Sequence, residues 1–309
     1  MIWRILAAFV GLSLIWGSVW IVQPLIFSQL PPFLTGALRF AAAAALLALL
    51  ALSQRPILST RPPFQLAPSC LLGITMIGLP YVLTVWAARR AASSNSAVIY
   101  SAMPLAVLLM SGESVLSLLP ALAAGLAGVA LLVSRAASTA TDQVVPAILV
   151  MLAVISGAFS LNYARRQLAV QDLIRSSALQ FAVAAIGCAI LSALEERAQP
   201  IHWQAQSLAA LAITAVVASA AALPLYYWLL RHTGAVQAGA LEWSITLAAV
   251  AESVLFLRAR PPLTMWAGAA LIAAATIAIL RRGRETPPVT LLVTSRPSVT
   301  SASSESKGK

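Results

Sequence analysis

Ten apolar runs, each close to the length needed to cross a lipid bilayer, decide what this chain can fold into. They are residues 4–23, 33–52, 67–88, 96–114, 117–134, 146–164, 177–194, 207–230, 236–257 and 263–280. A helix needs about 20 apolar residues to span the hydrocarbon core. Within that core only helices and closed barrels satisfy their own backbone polar groups. Charge is correspondingly scarce. Charged residues make up 9% of the 309, against about 25% in a soluble domain that must coat its surface. The expectation is an all-α integral membrane protein. The lipid bilayer is its surroundings, and no nucleic acid is expected as a partner. The net charge of +11 does not argue for one, because the arginines lie scattered at the ends of apolar runs, where topology signals lie.

Punctuation supports these boundaries. Pro31-Pro32, Arg55-Pro56, Arg61-Pro62-Pro63, Arg89-Arg90 and Pro261-Pro262 mark edges, where a missing proline N–H costs the helix nothing. The opening "MIWRILAAFVGLSLIWGSVW" is read as the first membrane helix, since no convincing small-residue cleavage site follows it. Residues 283–309, rich in Ser, Thr and Pro, read as a disordered cytoplasmic tail. Cys70 and Cys188 both fall inside apolar runs, so no disulfide framework is expected.

The runs repeat. "GESVLSL" at 112–118 matches "AESVLFL" at 251–257, "ALRF" at 37–40 matches "ALQF" at 178–181, and "LPYVLTVWAARR" at 79–90 matches "LPLYYWLLRHT" at 223–233. The three matches keep one order and nearly one offset. They divide the chain into two five-helix repeats, residues 1–139 and 140–282. Five is odd, so the second repeat enters the membrane from the opposite side. The expected fold is therefore ten transmembrane helices as two inverted repeats, with a site near the midplane between them. With the N-terminus inside, 13 of the 20 basic residues fall on the cytoplasmic side and 6 on the other. That bias favours both termini in the cytoplasm.

"LIWGSVWIVQPLIFSQLPPFLTGALRF" at 14–40 resembles the opening of EamA-type transporters of the drug/metabolite transporter superfamily. It has a Trp-Gly in the first span, a Pro-Pro loop and an Ala-Leu-Arg-Phe motif in the second, and Gly112-Glu113 follows near the end of the fourth. The resemblance implies a permease of the cell inner membrane that exports or takes up small organic solutes without ATP. Two departures stand out. Pro104 and Glu113 are closer than the family spacing by about one helical turn, as are Trp243 and Glu252 in the second repeat. The ninth span carries Glu242-Trp243 where the family often has Glu-Pro.

Several residues are candidates to carry transport. Arg39 lies inside the second span, where a charge costs about 2.5–3.5 kcal/mol unless it snorkels or faces water. It is expected either to snorkel or to line a wet cavity and meet an anionic group or Glu242. The matching place in the second repeat holds Gln180, so the helix pair itself does not require the charge. Glu242, inside span nine, must be paired, hydrated or protonated. It is a candidate to bind a proton or a cationic group. Glu113 and Glu252 occupy matching places and read first as architecture, pairing with arginine at the membrane edge. Trp16, Trp20 and Gln23 share one helical face. They either pack and anchor, or line the pathway with Asn162, Tyr81, Tyr226 and Tyr227. Pro80 and Pro224 are matching intramembrane prolines, and as paired hinges they would let each repeat rock. Small residues at four-residue spacing in spans five and ten (Ala121 and Gly125, Ala124 and Gly128, Ala269 and Ala273) signal close helix packing. Sequence leaves open whether that packing lies within one chain or joins two copies in a homodimer.

The leading function is a secondary transporter moving a small-molecule solute, such as an amino acid or a drug-like metabolite, by alternating access with proton coupling or exchange. The alternative is a non-transporting scaffold or a channel. An enzyme is not expected. The histidines, His202 and His232, sit at loop edges, and the sequence shows no intramembrane Ser–His pair, metal-ligand cluster or Walker loop. No cofactor and no metal are expected.

Overall fold

The computed structural model describes residues 2–53, 64–90, 99–111, 118–133, 144–167, 172–257 and 263–282, and all the regular structure among them is helical. The helices are α1 Ile2–Phe27, α2 Pro32–Ser53, α3 Leu66–Ala88, α4 Met103–Ser111, α5 Leu119–Val133, α6 Val144–Gln167, α7 Leu173–Glu195, α8 Ala205–His232, α9 Leu241–Leu257 and α10 Leu263–Arg282. A short helical turn, Ala235–Gly239, precedes α9. Seven segments among the described residues are long and apolar enough to cross a membrane: α1, α2, α3, α6, α7, α8 and Ala235–Phe256. The runs expected at 96–114, 117–134 and 263–280 appear as the shorter or less apolar α4, α5 and α10. Glu113 lies outside the described residues.

Two of the long helices are not α-helical throughout. α3 passes through a π-helical turn at Gly73–Gly78, and α8 does so at Val216–Ala221. Each turn ends shortly before one of the matching prolines. Pro80 gives no N–H to the carbonyl of Met76, and its ring crowds that carbonyl. Pro224 does the same to Ala220. Widening the turn to an i→i+5 bond relieves the clash and leaves some carbonyls open to outside donors.

Packing pairs helices from the two halves of the chain. α2 lies on α7, α5 on α10, α1 on α8 and α9, and α6 on α3 and α4. Backbones come close at glycines. A β-carbon on Gly128 of α5 would stand 2.7 Å from the Gly268 carbonyl oxygen of α10, and one on Gly73 would stand 2.8 Å from that of Gln180 in α7. The small residues of spans five and ten thus join two helices of one chain.

One end of the bundle is clasped by charge. Glu196, just past α7, accepts the Phe33 and Leu34 backbone N–H groups of α2 at 2.8 Å each, so it caps that helix from another element. Arg89, just past α3, bonds Glu195 and Glu196, both at 2.7 Å, and stacks over the Phe33 ring. His202, ahead of α8, donates its backbone N–H to the Gln29 carbonyl just past α1. The last turns of α1, α3 and α7 and the first turns of α2 and α8 therefore share one face. α7 begins with its own cap, the Asp172 carboxylate accepting from the Ile174 and Arg175 N–H groups.

Candidate functional site

A cavity of about 320 Å³ lies where α1, α2, α3, α6, α7, α8 and α9 converge with the turn ahead of α4. Its wall is mostly aromatic and aliphatic, with Arg39 and Glu242 as its charged members. α1 brings Trp16, Trp20 and Gln23 to it from one face, as their spacing requires. The Trp16 indole N–H donates to the Ala218 carbonyl at 3.0 Å, and its ring meets Tyr226 edge-on at 5.2 Å. Trp20 is 41% exposed on the same wall.

Arg39 does not pair with Glu242. Its guanidinium turns toward the π-turn of α8, donating from Nε to Ser219 Oγ at 2.8 Å and from Nη2 to the Ala218 carbonyl at 3.4 Å. It also lies over the Phe40 ring, 5.7 Å from the centroid. The charge is thus held by a hydroxyl, a backbone dipole and an aromatic face. Glu242 opens the first turn of α9, where the helix dipole favours a carboxylate. Among the described residues no hydrogen bond or ion pair engages its side chain, which faces the cavity.

Tyr81 and Tyr226 line the cavity. The Tyr81 hydroxyl donates to the Pro32 carbonyl at 2.7 Å and that of Tyr226 to the Ala238 carbonyl at 3.4 Å. Two expected lining residues are elsewhere. Asn162 spends its amide on the Val107 and Ala158 carbonyls, tying α6 to α4. Tyr227 is fully buried and donates to Gln180 Oε1, with Met76 Sδ at 3.4 Å. Consecutive helical residues point about 100° apart. Tyr227 is therefore turned away from the wall that Tyr226 joins, and Asn162 from the one that Leu161 joins. Of the two prolines, Pro80 borders the cavity and Pro224 does not.

Other residues were not singled out by sequence. Ser219, 1% exposed, seats Arg39. Thr84 and Tyr100 share a hydrogen bond of 2.8 Å on the cavity wall between α3 and the turn ahead of α4. A serine five residues before a proline inside an apolar span was the only available signal for Ser219. Glu252 is buried with Oε2 unbonded, so its expected arginine partner is not found among the described residues. Trp243 explains the departure at Glu242-Trp243. It is fully buried, its indole N–H donates to the Ser101 carbonyl at 2.8 Å, and its ring fills the space above Gly125.

The model of the EamA-like transporter family matches residues 2–135 and again 145–281. The chain belongs to the EamA-like transporter family. Transport across a membrane is what that family is described by, and a transporter is not an enzyme class. An uncharacterized transporter of Buchnera aphidicola subsp. Schizaphis graminum (strain Sg) is 32% identical over 108 residues, which cover 35% of this chain and 35% of that relative. A crystal structure of another protein superposes with a TM-score of 0.76, covering 92% of this chain and 100% of that one at 20% identity. At that identity the likeness speaks for the fold alone.

Proposed function

We propose that this EamA-family protein is a secondary transporter that carries a small organic metabolite across the inner membrane by alternating access. The observation that carries the reading is the central cavity, which both halves of the chain wall and in which Arg39 and Glu242 stand apart on different helices. Its volume lies at the small end of the usual ligand-pocket range of about 300–1,000 Å³, which suits a metabolite. A cation and a carboxylate without direct contact suit a zwitterion such as an amino acid. Glu242 then either meets the solute's ammonium group or carries the coupled proton.

The inverted ten-helix arrangement belongs to this reading. The double family match supports two repeats. The clasped face supports opposite insertion, because α1, α3 and α7 end there. α6, which precedes α7 across a short connection, then runs against α1. The packing partners α2 with α7 and α5 with α10 fit a two-fold axis between the repeats. Pro80 and Pro224, each behind a π-turn, are the hinges of the rocking motion. Both termini lie in the cytoplasm.

Proteoliposomes containing the purified chain test the function. Flux of a panel of zwitterionic amino acids is measured with and without a pH gradient. Saturable flux that the gradient accelerates, and that Glu242→Gln makes indifferent to the gradient, is the expected result. Flux that never saturates points to a channel, and the absence of flux to a scaffold.

A further inference from the structure

The second half of the chain offers an internal control for the first. Where the two agree, the feature is architecture. Where they differ, it serves something the architecture does not need. Trp16 of α1 donates to the Ala218 carbonyl in the π-turn of α8 at 3.0 Å. Ser156 of α6, at the place matching Trp16, donates to the Thr75 carbonyl in the π-turn of α3 at 2.6 Å. A side chain donating to a π-turn carbonyl is therefore common to both halves.

The arginine is not. Arg39 reaches the α8 π-turn through Ser219 and Ala218. Gln180, its match in α7, makes no such contact. It donates to Ser176 at 2.9 Å and accepts from Tyr227. Counted from the starts of the π-turns Met76 stands where Ser219 matches, and counted from the prolines Thr75 does, whose hydroxyl accepts from Ser160 at 2.7 Å rather than from Gln180. The Arg39–Ser219 pair is thus an addition in one half, and it sits on the cavity wall.

Its geometry is directional. The Ser219 hydroxyl donates to the Thr214 carbonyl at 3.1 Å, which leaves its oxygen lone pairs to accept the Arg39 Nε–H. Ala218 takes one Nη2 N–H. A guanidinium has five N–H donors in a fixed plane. With the Nε edge tied to α8, the remaining donors, among them both of Nη1, have no acceptor among the described residues. Such an edge matches a carboxylate.

We propose that Ser219 is a positioning residue that holds Arg39 with its free edge toward the cavity, making the site selective for a carboxylate-bearing solute. The proposal rests on the reading of Arg39 as the contact for the solute's anionic group. Without the hydroxyl, Nε loses its acceptor and the guanidinium turns about its own stem. Recognition of the anionic end weakens while the apolar wall is untouched.

The test measures binding to the purified full chain by thermal shift, with two probes that share one apolar tail, 4-methylpentanoate and 3-methylbutylamine. Wild type is expected to bind the carboxylate. Ser219→Ala is expected to weaken carboxylate binding by about tenfold, the loss of one charge-assisted hydrogen bond, with amine binding within about twofold of wild type. Ser219→Thr, which keeps the hydroxyl, restores the carboxylate. A purely structural role would move both probes together, and that outcome overturns the proposal. Carboxylate binding unchanged in Ser219→Ala but lost in Arg39→Gln overturns it while sparing the reading of Arg39. No carboxylate binding by wild type, or binding unchanged in Arg39→Gln, overturns both.

Discussion

Trp243 shows how a single side chain can decide whether the cavity keeps its shape. Its indole lies fully buried between the Ser101 carbonyl ahead of α4 and the backbone of Gly125 in α5. It thereby fixes the first turn of α9, which presents Glu242 one residue earlier. Trp243→Ala removes a large ring and its hydrogen bond to the Ser101 carbonyl. It is expected to destabilise the protein by about 3–5 kcal/mol, read as a lowered melting temperature in detergent. Trp243→Phe, which keeps most of the volume and loses the hydrogen bond, should cost about 1–3 kcal/mol. At this scale the sequence was legible where period alone settles orientation. Trp16, Trp20 and Gln23 share a face because of their spacing, and they reach the cavity together. It was not legible where residue type had to stand in for azimuth. Tyr226 and Tyr227 are indistinguishable as types, and only the packing of α8 turns one to the cavity and the other to Gln180.

At the scale of elements, the π-turns of α3 and α8, each just before a proline, offer carbonyls to side-chain donors from neighbouring helices. The prolines and their matching positions were visible in the sequence. The π geometry was not, because it depends on how the crowded carbonyl relaxes against the neighbouring helices. Pro224→Ala returns an N–H to the Ala220 carbonyl and lets the α8 turn tighten. The Ser219 and Ala218 acceptors then rotate away from Arg39. The expected outcome is a folded, monodisperse protein with transport lowered by about tenfold or more, and loss of preference for the carboxylate probe over the amine. Pro80→Ala tightens the matching turn in α3, which seats Ser156 and Ser160 rather than Arg39. It should slow transport and leave that preference intact. α5 and α10 offer a packing test. A methyl group on Gly128 meets the Gly268 carbonyl and the Ile272 N–H, which are backbone and cannot swing aside. Gly128→Ala should therefore cost about 1–3 kcal/mol of stability, visible as a lowered melting temperature with transport per folded molecule preserved.

At the scale of the whole molecule, a cluster of charge ties together helices from both halves on one face of the bundle. On the clasped face, Glu196 is almost fully buried at the side chain, caps α2 and bonds Arg89, while Glu195 is about one-third exposed. The positions matching Glu195 and Glu196 in the first half are Gln54 and Arg55. Neither of those side chains is a carboxylate, and the matching helix α7 is capped by its own Asp172. The asymmetry was hidden from a sequence reading that treated Arg89 only as a topology charge, since its partners lie a hundred residues away and are joined to it only by folding. Removing one partner of a buried, multiply bonded ion pair costs about 3–5 kcal/mol, whereas an exposed pair is worth about 1 kcal/mol or less and is screened by salt. Glu196→Ala should thus lower the melting temperature several-fold more than Glu195→Ala. The Glu195 effect should fade in high salt while the Glu196 effect persists. The same face sets the topology. If α1 and α7 end together while α2 and α8 begin together, cysteines placed at Ser28 and Gln199 must react with a membrane-impermeant maleimide from one side of the membrane. Cysteines at Asp172 and at Ser301 in the tail must react from the other. Reaction of Ser28 and Gln199 from opposite sides would mean that the two halves enter the bilayer in one orientation. A cavity walled by both could not then be exposed to each side by the same rocking motion.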